Sequence, residues 1–351
     1  MLRVRAGQSQ MNFTQAESAV LKRVQEDIPL VRDPLGAMAA KAGMDADGFI
    51  ETLAQMKQQG VVRNISGIFS AAALGYSSAL VAFMVPGVFV ENAAAVISAH
   101  PGVSHNYLRD HEYNIWFTLA VERPEQLRRT VDVLTGRCGA KDAIILNNEK
   151  MYKLGVKFAV DDENPPDGVS SVIEGGADSG PLSGDEREAV RLLQIDMPLC
   201  AGPFEKIIRD RGSALPVDDL LKIGAYLKVR GALRRYSAVL RHRKAGFTAN
   251  AMTVWRPASP ELMDRAAGIF GRERAVSHLY ARTVYPGRWE YPLFAMIHAR
   301  DEAALDEIIR NFAAQTGITD YRVLRSIQEF KKERVAYFSQ KFSDWNAREN
   351  I

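Results

Sequence analysis

Two stretches of this chain carry the same reactive pattern. Val103-Ser104-His105-Asn106-Tyr107-Leu108-Arg109 in the first half is matched by Val276-Ser277-His278-Leu279-Tyr280-Ala281-Arg282 in the second, so both read V-S-H-x-Y-x-R. Successive side chains of an extended strand point to opposite faces, so His, Tyr and Arg at alternate positions share one face. An imidazole carries protons near neutral pH, and a guanidinium fork suits carboxylates, bidentate and charge-assisted. A half-buried strand would ordinarily give that face to aliphatic groups. Two copies at matching positions imply two related binding surfaces.

Other candidates gather around the motifs. The first copy continues Asp110-His111-Glu112-Tyr113-Asn114-Ile115-Trp116, and the second Thr283-Val284-Tyr285-Pro286-Gly287-Arg288-Trp289. Tyr113, Trp116, Tyr285 and Trp289 would suit the face of a large flat ligand. Val284 stands where the first copy has His111, so the two surfaces are not equivalent. Cations cluster before each motif: Arg63 in the first half, and Arg230, Arg234, Arg235, Arg241, His242, Arg243 and Lys244 in the second. His100, before Pro101-Gly102, reads as a helix-end residue, and the role of His298 at a strand end is open. Glycine-rich phosphate loops, paired Cys or His metal spacings and G-x-S-x-G are absent from the sequence, against nucleotide, zinc and hydrolase chemistry.

The elements that would position these residues repeat. Gln15 to Glu26, Leu35 to Ala42 and a segment running from Asp45 or Asp47 to Gln59 have helical spacing, with Asp33-Pro34 as N-cap and first residue of the second. Val61 to Ile65 reads as a strand and Ser66 to Tyr76 as the rest of a hairpin wing. Leu80–Val85, Val88–Ala99, Val103–Arg109, Ile115–Val121, Pro124–Thr135 and Ala143–Leu146 then give strand-helix-strand-strand-helix-strand, a ferredoxin-like unit. Residues 159–184 are rich in Pro, Gly, Ser and acid and read as a flexible linker. After them the programme restarts, with Met197-Pro198 matching Ile28-Pro29 and the second motif matching the first. The expectation is an α+β chain, a tandem duplication of a winged helix-turn-helix (14–76 and 185–246) plus a ferredoxin-like βαββαβ domain (77–158 and 247–340).

Composition narrows the function. At 351 residues, 47% apolar and 25% charged, the chain is that of an ordinary globular protein. A net charge of +3 is too small to signal nucleic acid or a membrane surface. Two cysteines, Cys138 and Cys200, suit a reducing cytoplasm. The apolar run from Ile65 to Val90 is broken by Gly67, Gly75, Pro86 and Gly87, so it reads as buried strands and no membrane span is expected. Helix-turn-helix plus ferredoxin-like domain resembles the leucine-responsive regulators. Yet both recognition helices lead with acid, Asp45 and Asp47 in one and Asp218 and Asp219 in the other. Such edges repel phosphate, so no DNA readout is expected.

The motif text is more specific. VSHNYLRDHEYNIWFTL, with RNISGIF before it, resembles one subunit type of the siroheme decarboxylases. VSHLYARTVYPGRWEYPLFAMIH, after RRYSAVLRHRKAGFTANAMTVW, resembles the partner type. The likeness spans nearly the whole chain outside the linker and termini, and implies a fused form of what elsewhere occurs as two subunits. It implies removal of the carboxyl groups of the C12 and C18 acetates of siroheme, on the way to haem or d-type haem. It also implies that siroheme is substrate, with no redox cofactor, and the absent ligand spacings lead us to expect no metal site of the protein's own. The residues fit: His105 or His278 as acid, Tyr107 or Tyr280 assisting, and Arg63, Arg109, Arg234, Arg243 and Arg282 on peripheral carboxylates. His111 and His242 would donate protons or approach the iron. The rival readings are a regulator and a carrier that binds a tetrapyrrole without changing it. Pairing of a sheet edge would make a homodimer of the fused chain.

Overall fold

The computed structural model describes residues 13–154, 180–240 and 249–351. The first half contains helices α1 (Gln15–Gln25), α2 (Pro34–Ala42) and α3 (Ala46–Gln58) and strand β1 (Val62–Phe69). It continues β2 (Ser77–Met84), α4 (Val90–Ala99), β3 (Val103–Arg109), β4 (Ile115–Val121), α5 (Pro124–Cys138), β5 (Asp142–Leu146) and β6 (Asn148–Leu154). The second half repeats the order as α6 (Gly184–Leu193), α7 (Pro203–Arg211), α8 (Val217–Val229), β7 (Leu233–Leu240), β8 (Ala249–Trp255) and α9 (Pro260–Arg272). It closes with β9 (Val276–Arg282), β10 (Leu293–Ala299), α10 (Glu302–Thr316), β11 (Tyr321–Lys332) and α11 (Gln340–Glu349). Local chemistry sets the helix ends. Thr14 and Glu17 form a capping box on α1, Asp33 caps α2 ahead of Pro34, and Ser259 caps α9 ahead of Pro260.

The chain sorts into two compact units, one made of Met1–Leu74 with Gly175–Gly246 and the other of Gly75–Glu174 with Phe247–Ile351. Like domains of the two halves therefore come together. In the first unit the hairpin wing expected in the first half does not form, and the return of the second-half wing lies outside the described residues. β1 instead pairs antiparallel with β7, strand of one half against strand of the other. A short turn at Ala72–Leu74 follows β1 where the return strand was expected. The exchange is pseudo-symmetric. Asp196 accepts from Lys57 Nζ at 2.8 Å and from the Ile65 amide at 2.8 Å, while Asp27 accepts from Lys228 Nζ at 2.9 Å and from the Tyr236 amide at 2.8 Å. Arg32 lies between Asp218 and Glu205 at 2.8 and 2.9 Å, so part of the acid leading α8 is neutralised within the unit.

In the second unit nine strands run in the order β5-β2-β4-β3-β11-β8-β10-β9-β6. Each half contributes its own ferredoxin-like order, β5-β2-β4-β3 and β11-β8-β10-β9. Two long tails tie them. β11 pairs with β8 through Arg325 and with β3 from Ser326 onward, and β6, one residue beyond β5, pairs with β9. The edges of β3 and β9 are thus covered by the chain's own strands. Helices cover the outer faces in two apolar clusters, one around Val81, Phe117 and Val131, the other around Trp255, Phe270 and Phe312. A third cluster joins the inner faces: Ala82, Trp116 and Ile144 from one half meet Val254, Trp289 and Phe294 from the other. α11, beyond the anticipated elements, packs Phe342 and Trp345 around His100, with the Trp345 ring 4.2 Å from the imidazole.

Candidate active site

A β-bulge sets the geometry of each motif. In β3 the register passes from Val103↔Leu119 to His105↔Thr118, and in β9 from Val276↔Ile297 to His278↔Met296, leaving Ser104 and Ser277 as the extra residues. A bulge re-aims side chains, and here it turns each serine hydroxyl toward the histidine that follows. Ser104 Oγ lies 3.0 Å from His105 Nδ1, and Ser277 Oγ lies 2.8 Å from His278 Nδ1. After the bulge, Asn106 and Leu279 pack on the helix side, Asn106 donating to Ala94 O at 3.2 Å. The opposite side of each strand carries His, Tyr and Arg.

The two rows are built alike. His105 and Tyr107 stack at 6.3 Å between ring centroids, and His278 and Tyr280 at 6.2 Å. Arg109 lies over the Tyr107 ring at 5.2 Å, and Arg282 over Tyr280 at 4.8 Å. Tyr107 Oη donates to Glu329 at 3.2 Å. Arg109 Nη1 donates to Leu324 O at 2.8 Å and Arg282 Nη1 to Leu146 O at 3.0 Å, at the points where β11 and β5–β6 pass from one half to the other. Each arginine is therefore partly committed to backbone, where a fully open fork was expected. The Nε of each is buried without a partner. Burial lowers both guanidinium pKa values to about 10, so both remain cationic at neutral pH.

The proton equilibrium of His278 is displaced toward the neutral imidazole. Burial pushes its pKa down to about 4, and the charges of His298, His105 and Arg282 push the same way. Its ring keeps an open edge to solvent, so the direction, toward neutral imidazole, is what the chemistry uses. That His105 is felt at His278 brings the two motif histidines, from different halves, into one electrostatic neighbourhood. His298, whose role the sequence left open, is 2.8 Å through Nε2 from the same Ser277 Oγ that faces His278. The only sequence signal was the Val-Ser before each motif histidine, repeated without a chemical reason until the bulge supplies one.

The aromatic platform needs correction. Tyr113, Trp116 and Trp289 are each at most 2% exposed and lie in the cluster between the inner faces. Trp116 and Trp289 meet edge-on at 5.2 Å, and Trp116 Nε1 donates to Tyr113 O at 2.6 Å. These rings cover one another and offer no face to a ligand, because joining the halves requires an apolar filling. Tyr285 is half-buried and its Oη donates to Ile145 O at 2.8 Å, tying its loop to β5. His111 accepts from the Tyr113 amide at 3.0 Å, and burial lowers its pKa against the opposing pull of Glu112. Arg63 and Arg234 are exposed on β1 and β7 in the first unit. His242 and Arg243 lie outside the described residues. Arg230, by contrast, is buried and donates to Gly180 O, a structural role.

Two surface pockets are lined by none of the motif histidines, tyrosines or arginines. One of about 480 Å³ is lined by Asp185, Glu188 and Asp219, acid that would repel a polycarboxylate. Another of about 250 Å³ lies beside Arg256, Val284 and Glu290, where Arg256 and Glu290 pair at 2.6 Å. Among the described residues no group of three or more His, Cys, Asp and Glu is arranged to hold a metal, and no helix is long and apolar enough to cross a membrane.

Residues 73–153 and 244–331 match the model of an AsnC-like ligand binding domain, and residues 17–63 that of a siroheme decarboxylase NirDL-like helix-turn-helix domain. A siroheme decarboxylase of Hydrogenobacter thermophilus is 38% identical over 93% of this chain and 96% of its own. The siroheme decarboxylase NirDL subunit of Paracoccus denitrificans is 28% identical over 92% of this chain and 97% of its own. The crystal structure of the siroheme decarboxylase NirDL in complex with an iron-uroporphyrin III analogue is 31% identical, with a TM-score of 0.76 over 95% of this chain and 98% of that one.

Proposed function

This chain belongs to the siroheme decarboxylases, and from that premise we propose how its residues carry out the removal of carboxyl groups from siroheme in haem biosynthesis. The observation that supports the reading is the pair of bulged strands, each presenting a serine-held histidine beside a tyrosine and an arginine. The groups removed are the carboxyls of the acetates at C12 and C18. Each loss replaces a ring-bound CH2–COO⁻ by CH3: the C–C bond breaks, CO2 leaves, and one proton is taken up at the carbon. The pyrrole system holds the electron pair in between, so the protein's task is to bind polyanion and deliver that proton.

Neutral His278 would present an N–H at Nε2 when its Nδ1 accepts from Ser277, and so acts as the donor in the second half. His105 is its counterpart in the first. Tyr107 and Tyr280 assist from the neighbouring position of each row. Arg109 and Arg282 keep the rows positive, which favours a polycarboxylate beside them. His111, held toward the neutral form, is the remaining proton carrier of the first half. No redox cofactor enters this scheme, since decarboxylation with protonation is redox-neutral. The reaction belongs in the cytoplasm, a setting that suits two free thiols.

No nucleic acid is needed. α8 leads with acid, and Arg32 already pairs with Asp218 there. Anaerobic incubation with siroheme, followed by mass spectrometry, tests the proposal. Loss of two carboxyl groups supports it. Siroheme bound and returned intact would refute it and leave a carrier.

A further inference from the structure

One hydroxyl in this molecule stands between two imidazoles. Ser277 Oγ lies 2.8 Å from His278 Nδ1 and 2.8 Å from His298 Nε2, with Met296 O a third neighbour at 3.4 Å. A hydroxyl donates one hydrogen bond and accepts others. If its proton points to His278 Nδ1, it accepts the N–H of His298, and His278 must carry its own proton on Nε2. The chain then has one direction, from His298 through Ser277 to His278.

Sequence and register explain why only one half has this arrangement. His298 lies on β10, in the strand that pairs with β9 through Met296↔His278. The first-half counterpart of β10 is β4, aligned by Leu293 with Ala281 in one and Ile115 with Leu108 in the other. Ala120 of β4 thus occupies the place of His298. Ser104 faces His105 at 3.0 Å, but β4 offers no second imidazole there.

We propose that His298 is a positioning residue of the second half, which through Ser277 fixes the tautomer of His278 and returns a proton to it after each transfer. The idea rests on the decarboxylation reading and deepens it by making the two motif histidines unequal donors. The step balances. His278 gives its Nε2 proton to the carbon that has lost CO2 while Ser277 passes its proton to Nδ1 and His298 passes its own to Ser277, water restoring the proton at half-buried His298. The Nε2–H tautomer is reset when solvent protonates Nε2 and the chain releases its extra proton back through Ser277 and His298.

The experiment follows single-turnover decarboxylation of siroheme by mass spectrometry, counting carboxyl groups lost against time. His298→Ala should slow loss on the order of tenfold to a hundredfold, part of what a general acid contributes, and leave siroheme affinity within about twofold. If His105 serves the other loss unaided, the product lacking one carboxyl accumulates. Free imidazole in the buffer should restore part of the rate, which a purely structural role would not allow. Ser277→Ala should match His298→Ala, and Ser277→Thr, which keeps the hydroxyl, should stay near the wild-type rate. Thus a His298→Ala protein that failed to fold would leave the serine pair to decide. Unchanged rates in His298→Ala or in Ser277→Ala overturn the inference while the decarboxylation reading stands. Absence of any carboxyl loss in the wild type overturns the reading itself.

Discussion

Substrate binding should be coupled to uptake of one proton by the Ser277–His298 chain that ends at His278, and the coupling has a calculable slope. In the free protein burial and the neighbouring His298, His105 and Arg282 hold this imidazole down at about 4. At pH 7 the free protein therefore holds it in the neutral form. A tetrapyrrole bearing many carboxylates brings the opposite charge, which favours the protonated form. Between the free and bound pKa values, one proton is gained per ligand bound. Affinity should fall about tenfold, or ~1.4 kcal/mol, for each unit rise in pH across that window, and level off above it. The assay is an anaerobic absorbance titration of siroheme from about pH 5.5 to 8, with His278→Gln beside the wild type. Gln keeps a polar group of similar reach and cannot titrate, so the slope should flatten. A wild-type affinity that does not change with pH, or a slope equally steep in His278→Gln, would refute the reasoning.

Trp289→Ala should destabilise the protein by about 3–5 kcal/mol in denaturant unfolding, because a fully buried ring shared by both halves leaves a cavity. Arg109→Ala should lower stability as well as weaken siroheme binding, since Leu324 O loses its donor, a cost of about 1–3 kcal/mol. A pure affinity defect with an unshifted melting curve would count against the dual role. His100 is neutral and buried, pushed down to about 3. Its contribution is therefore complete above the ordinary histidine pKa of about 6.5 and is lost as pH falls from there toward 3. His100→Gln should flatten unfolding free energy against pH in that range. A salt-sensitive gel shift on duplex DNA should be absent, and its appearance would revive the regulator reading.

The duplication, the element types and the motif strands were legible because they rest on local rules. Alternation gives β3 and β9 residue by residue, and Asp33-Pro34 or Ser259-Pro260 announces a helix start whatever lies beyond it. Partner choice is not local. A strand such as β1 looks the same whether it turns back on itself or meets β7, and the long tails β6 and β11 reveal their exchange only through hydrogen bonds made over more than a hundred residues of sequence. For the same reason Trp116 and Trp289 read as a ligand platform until the inner faces met over them. The identities and spacing of His105, His278 and their serines were in the chain from the start. Only tertiary structure set Ser277 between two imidazoles, because a β-bulge and a neighbouring strand from later in the sequence had to meet at one hydroxyl.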